Sequence, residues 1–216
     1  MKPMAVADSP IQTGPPAYWE EAKSHLRAAD EILADLINRY ESPPLRSKGR
    51  LFETLVHAVV GQQISARAAD AIWQRLVSLI EDVSPAPLSA VSNVALREIG
   101  LSGRKVEYLR GLIDEAPMLA STPWAQLSDD QIRKRLCALR GIGPWTADML
   151  LIFCFLRPDI LPLGDIGVVR VMERLFNDGN ALKPKALAAL GTRWAPYRTV
   201  ATWYLWRSLD PEPVEY

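Results

Sequence analysis

A chain of 216 residues that is 49% hydrophobic and 23% charged has the make-up of a globular protein with a substantial core, built as one large domain or two lobes. Its 25 basic and 25 acidic side chains cancel, so no global positive field attracts nucleic acid, and a polyanion would have to be held by a local patch or by backbone groups. No apolar run reaches membrane-spanning length and the N-terminus lacks the apolar stretch of a secretory signal; Cys137 and Cys154 sit in apolar helical patterns and read as buried free thiols of a reducing compartment.

Residues 1–17 read as a flexible lead-in. From Tyr18 to Tyr40 the pattern is amphipathic and helical, with Leu26, Ala29, Leu33, Leu36 and Ile37 on one stripe. "ESPPLRSKG" breaks it as a loop. Residues 51–60 then place Leu51, Phe52, Leu55, Val56, Val59 and Val60 on a buried helical face. After the turn "GQQIS", Ser65 is an N-cap for a helix to about Glu81. "SPAPLS" interrupts the chain, a short helix runs to Ile99, and Ser102 caps a longer one. Ser128 and Gln131 have capping-box spacing at the start of the next helix, which ends near residue 138. A helix from 144 through Leu156, the loop "RPDILPLGD", and helices near 166–176, 183–190 and 196–208 complete the chain. With about ten helices and no strand pattern, the expected fold is all-α.

One stretch needs a separate explanation. "LRGIGPWTADMLL" joins two of these helices through Gly141-Ile142-Gly143, and glycine inside regular structure costs stability. Two glycines let the main chain approach a ligand closely. Gly143 precedes a helix N-terminus, whose free amides and dipole attract a phosphate. Pro144 at the first helical position gives up a donor the helix could not use, and Ile142 points back as an apolar plug. Such a backbone nest grips a phosphate without net positive charge. A plain turn is the competing reading.

Four further stretches concur in order. "LFETLVHAVVGQQIS", "GLSGRKVEYLRGLI", "LRGIGPWTADMLL", "LPLGDIGVVRV" and "WAPYRTVATWYLW" together resemble the helix-hairpin-helix DNA glycosylase superfamily, in its 3-methyladenine DNA glycosylase II branch. The resemblance implies two helical lobes flanking a DNA-binding cleft. A hairpin lobe would run from about residue 64 to 161, with the second lobe from 18–63 and 162–216. The N-terminal β-domain of the bacterial relative is expected to be absent. The implied activity is hydrolysis of the N-glycosidic bond of alkylated purines in duplex DNA by base flipping. A non-catalytic helix-hairpin-helix module and a structural all-α protein are the alternatives.

The resemblance assigns roles residue by residue. Asp165 is the catalytic carboxylate, facing the positive charge that builds on the deoxyribose as the bond breaks; as a plain residue it would be an N-cap. Asp148, one turn into the post-hairpin helix, reads as structural. Trp145 stands where bifunctional relatives carry a nucleophilic lysine, so no Schiff base is expected and an abasic site is the product. Trp145 and Trp206, with Tyr204 beside them, are the expected aromatic wall for an electron-poor base; Trp194 and Trp203 read as core. Gln63 or Ile64, in the turn matching the wedge loop, would fill the gap left by the flipped base. Gly141, Ile142, Gly143 and Thr146 would hold phosphate, with Arg104, Lys105 and Arg170 as candidate cationic contacts. The backbone carbonyls of Cys137, Leu139 and Ile142 match a monovalent-cation site, Na+ or K+. No catalytic cofactor and no iron–sulfur cluster are expected. The protein is expected to act as a monomer on duplex DNA without a membrane, in the cytoplasm of a bacterium or the nucleus of a eukaryote.

Overall fold

The computed structural model describes residues 13–209. Its helices, in chain order, begin with α1 (Trp19–Ala29), α2 (Glu31–Arg39), α3 (Leu51–Gly61) and α4 (Ala66–Ile80). Next come α5 (Pro85–Ala90), α6 (Asn93–Glu98), α7 (Gly103–Ser121) and α8 (Asp129–Cys137). The last are α9 (Pro144–Phe153), α10 (Ile166–Phe176), α11 (Pro184–Gly191) and α12 (Arg198–Arg207). Among the described residues there is no strand, and the all-α expectation holds.

Local chemistry sets most boundaries. Ser65, Ser102 and Ser128 cap α4, α7 and α8 through their hydroxyls, and Ser128 with Gln131 forms the full capping box. Two boundaries differ from the periodicity. The stripe from 18 to 40 is broken by Asp30, whose Oδ1 accepts the amides of Ile32 and Leu33 and so starts a second helix. "SPAPLS", read as a break, contains α5, because Pro85 at the first helical position costs nothing there. Also, α7 continues past Pro117, since the buried Leu119 holds the next turn against the core.

The chain divides into two compact units. One is Gly49–Leu150. Here α7 is the central helix, with α3, α5 and α6 packed on it. Leu55, Val56, Val59 and Val60 of α3 and Leu109 and Leu112 of α7 are buried, each contributing about 1.5–3 kcal/mol of transfer free energy. Among the described residues the second unit holds 13–48 and 151–209, so α9 crosses the boundary. The resemblance put the lobe boundaries at about 64 and 161. The division falls earlier at both ends, because α3 is buried against α4 and α7.

In the second unit, α12 packs on α1, α2 and α10. Trp194 is fully buried and donates its indole N–H to Asp30 Oδ2 at 2.9 Å, while Arg193 reaches the same oxygen at 2.8 Å. One carboxylate thereby caps α2, satisfies a core tryptophan and binds a cation. Of the expected lead-in 1–17, residues 1–12 lie outside the described residues. Gly14 is held, exchanging both backbone hydrogen bonds with Ser47 at 2.9 and 3.0 Å. Residues 210–216, assigned to the second lobe, also lie outside them.

Candidate functional site

The chemistry-bearing residues fall in both units. In Gly49–Leu150, α8 and α9 are joined by residues 138–143. Arg133 ties the two helices together, placing Nε and Nη2 each 2.9 Å from Asp148 Oδ1. Burial raises the Asp148 carboxyl above its usual range despite the guanidinium beside it. Asp148 is thus structural, as the sequence suggested.

The two hairpin glycines have different reasons to be glycine. Gly141 has φ +91°, and a Cβ there would lie 2.4 Å from the Tyr108 ring. It is required by the protein itself. A Cβ on Gly143 would meet nothing within 4 Å, so that position is side-chain-free without any internal need. Ile142 is buried and acts as the plug. Among the described residues the amides of Gly143 and Thr146 have no acceptor. These donors at the N-terminus of α9 are what an anion would engage. The Thr146 side chain is buried, so this residue offers the hairpin its amide alone.

Beside the hairpin, the turn after α3 exposes Gln63 and Ile64, the latter 38% accessible. Gln62, which the sequence reading passed over, donates from Nε2 to the carbonyl of Gly141 at 2.8 Å. Arg104 is exposed. Lys105 corrects an expectation: it is buried, and its Nζ donates to the Val60 carbonyl at the end of α3, 2.7 Å away. Burial lowers its pKa. The long stem packs in the core while the ammonium caps a helix, which removes it from the candidate phosphate contacts. Trp145, in the first turn of α9, is 38% accessible, a large exposure for an indole.

In the second unit, Asp165 is the N-cap of α10, its Oδ1 accepting the Val168 amide at 2.8 Å. The same oxygen receives the Trp206 indole N–H at 3.2 Å. Trp206 is half-buried and stacks on Phe153, with ring centroids 5.5 Å apart and planes at 17°. A Cβ on Gly167 would approach Asp165 Oδ1 to 3.0 Å and the Leu209 side chain to 3.3 Å, so glycine leaves room beside the carboxylate. Ile166 and Leu209 are exposed around it. A partly accessible carboxylate with an aromatic face beside it suits an electron-poor reaction centre.

Tyr204 is a second correction. It is fully buried against Trp19, its hydroxyl has no hydrogen-bond partner among the described residues, and burial pushes the phenol up to about 12. It faces the core side of α12 and cannot line a surface site. Trp194 and Trp203 are core, as expected, and Arg170 is exposed on α10. Phe153 and Gln62 were missed. Phe153 carries no local signal, whereas two adjacent glutamines directly after the apolar run Ala58-Val59-Val60 are a visible one. Neither Cys137 nor Cys154 forms a disulfide. No helix among the described residues is long and apolar enough to cross a membrane.

With this geometry in hand, comparison places the chain among known proteins. Residues 56–196 match the family described as HhH-GPD superfamily base excision DNA repair protein. The chain is 30% identical over 198 residues to DNA-3-methyladenine glycosylase 1 of Schizosaccharomyces pombe, covering 87% of this chain and 86% of that protein. A crystal structure of DNA-3-methyladenine glycosidase from Bacillus halodurans aligns with a TM-score of 0.75 at 34% identity, over 88% of this chain and 89% of that one. Schizosaccharomyces pombe 3-methyladenine DNA glycosylase in complex with abasic DNA aligns with a TM-score of 0.76 at 29% identity, over 87% and 96%.

Proposed function

The chain belongs to the HhH-GPD superfamily of base excision DNA repair proteins, and from that premise we propose that it is a monofunctional DNA glycosylase for alkylated purines in duplex DNA. The observation that carries the reading is Asp165. Its carboxylate is fixed by the α10 N-terminus and the Trp206 indole, beside Gly167, where a side chain would crowd it.

In the proposed mechanism the hairpin holds the DNA backbone through the amides of Gly143 and Thr146. The damaged nucleotide leaves the stack, with Gln63 or Ile64 entering the gap. Trp206 and Trp145 supply aromatic faces for an electron-poor, often cationic base, which needs no exact hydrogen-bond pattern. As the glycosidic bond lengthens, the electron pair leaves with the base and positive charge develops on the sugar, where the Asp165 carboxylate stabilises it. Water completes the hydrolysis and leaves an abasic site. Trp145 occupies the position after the hairpin where a nucleophilic amine would stand, and an indole forms no Schiff base.

A monovalent cation fits the hairpin. Among the described residues the carbonyls of Cys137 and Ile142 accept no hydrogen bond, and that of Leu139 accepts one, from Ile142 N at 3.1 Å. Bound there, Na+ or K+ would add positive potential beside the amides. On this reading the protein acts on chromosomal DNA as a monomer, in the cytoplasm if bacterial and in the nucleus if eukaryotic.

The test is a duplex oligonucleotide carrying one alkylated purine, with 3-methyladenine and 7-methylguanine types first. Excision is expected. Binding without excision would indicate a non-catalytic clamp, and the absence of both would indicate a helical scaffold.

A further inference from the structure

The turn at 62–65 and the hairpin at 141–143 are 79 residues apart in sequence and meet through one side chain. The Gln62 amide donates from Nε2 to the Gly141 carbonyl at 2.8 Å, half-buried. Both ends of that bond are strained or committed. Gly141 is in the left-handed region and pressed on Tyr108. Gln63, the neighbour of Gln62, has φ +58°, which is costly for a residue with a side chain and persists only where its surroundings enforce it. The surroundings do enforce it. Lys105 pins the Val60 carbonyl on one side of the turn, and the Ser65 hydroxyl accepts the Ala68 amide on the other, at 3.3 Å. The product of these constraints is that Gln63 and Ile64 are exposed on a turn whose Gln62 is bonded directly to the hairpin that carries the Gly143 and Thr146 amides.

The geometry points to Gln62 as the positioning residue that sets the exposed 63–64 tip in register with the phosphate-holding hairpin. This rests on the glycosylase reading, and it adds a coupling. Gripping the backbone and filling the gap in the duplex become a single rigid event, because a carbonyl of one turn is held by the side chain of the other. Gln62 touches no reacting atom. Its contribution is geometric, and small misplacements of such elements cost on the order of 10- to 100-fold in rate.

The experiment uses the full chain with Gln62→Ala, the equal-sized Gln62→Glu, Ile64→Ala and the Gln62→Ala/Ile64→Ala double variant. Glutamate at neutral pH presents no donor to the Gly141 carbonyl and should behave like alanine despite its size. Single-turnover excision should fall about 10- to 100-fold in both Gln62 variants, with melting temperature nearly unchanged. Ile64→Ala should slow the unmodified protein but add little in the Gln62→Ala background, because the tip is already out of register. A purely structural Gln62 would lower the melting temperature and leave the Ile64 effect intact. Hydrogen exchange at residues 139–143 reads the clamp without substrate, and protection should drop in both Gln62 variants. Unchanged protection, or an Ile64→Ala effect equal in both backgrounds, overturns the inference. A folded unmodified protein that protects the hairpin yet excises nothing would instead defeat the glycosylase reading. Should Gln62→Ala fail to fold, Gln62→Glu carries the same comparison.

Discussion

Asp165→Asn separates the helix cap that the carboxylate forms from the catalytic role proposed for it. The amide oxygen can still accept from Val168 N, 2.8 Å away in the present structure, and from the Trp206 indole at 3.2 Å. Asparagine caps helices about as well as aspartate. What stability is lost is the attraction between the charge and the α10 N-terminus, about 0.3–1 kcal/mol. For a chain of this size that lowers Tm by at most about 4 °C. The rate should suffer far more. Removing a fixed electrostatic stabiliser of a developing charge costs on the order of 10²–10³, or about 2.7–4 kcal/mol of barrier. Single-turnover release of an alkylated purine, read as alkali-labile sites in the DNA, measures the rate, and circular dichroism measures Tm. Asp165→Ala is the companion: it loses the cap as well, for about 1 kcal/mol, with a rate defect of similar size. An asparagine variant that releases bases at the unmodified rate would reduce Asp165 to a helix cap and refute the electrostatic argument.

The other expectations are narrower. The unmodified protein should leave intact strands with abasic sites, and borohydride should trap no imine-linked complex; a trapped adduct would end the monofunctional assignment. Gly143→Val should fold, since its Cβ position is open, yet bind damaged and undamaged duplex about tenfold or more weakly by blocking the α9 amides, whereas Gly141→Ala should damage the hairpin itself through Tyr108. Normal binding by folded Gly143→Val would leave the hairpin a mere turn. Asp159, paired with Arg198 through contacts of 2.6 and 2.8 Å, has its pKa lowered by that hydrogen-bonded guanidinium in spite of burial. A depressed folded-state pKa stabilises above the unfolded value and is lost as pH falls through the folded one. Asp159→Asn should therefore cost on the order of 1 kcal/mol near pH 7, and its urea midpoint should converge on that of the unmodified protein in acid. Parallel stability curves down to low pH would contradict the pairing.

The all-α fold was legible because serine and aspartate caps mark helix starts locally, and Ser65, Ser102, Ser128 and Asp165 each announce an N-terminus in the residue alone. Asp30 caps α2 just as locally, through the amides of Ile32 and Leu33, but it was missed because the apolar stripe from Tyr18 to Tyr40 runs on across it; only its contacts with Trp194 and Arg193, more than 160 residues away, are invisible in the local sequence. The hairpin was legible from its glycines, although their division of labour was not: Gly141 answers to Tyr108, a packing fact no spacing encodes. Lys105 and Tyr204 show the opposite error. Each is a polar residue in a motif-bearing stretch, and each turned inward, one to cap α3 and the other to pack on Trp19. Residues on one helix share a motif without sharing a face. Trp206 and Tyr204 stand only two positions apart, about 200° around the helix, and α12 is buried from Thr199 through Leu205, so Tyr204 shares none of the exposure of Trp206.

A helix cap and the proposed catalytic group can be the same residue for a physical reason. A carboxylate on a loop has free rotamers, and a site that must face a transient charge gains most from a group already held in place. At the start of α10 the Val168 amide fixes the Asp165 side chain, and the Trp206 indole bonds the same oxygen. Trp206 is in turn held flat against Phe153. The carboxylate and the aromatic face are therefore oriented by each other through one hydrogen bond, and a change in the tilt of the indole moves the carboxylate with it. Folding stability and site geometry draw on one set of contacts here, so a substitution that loosens Phe153 should reach the chemistry through Trp206 without touching a substrate.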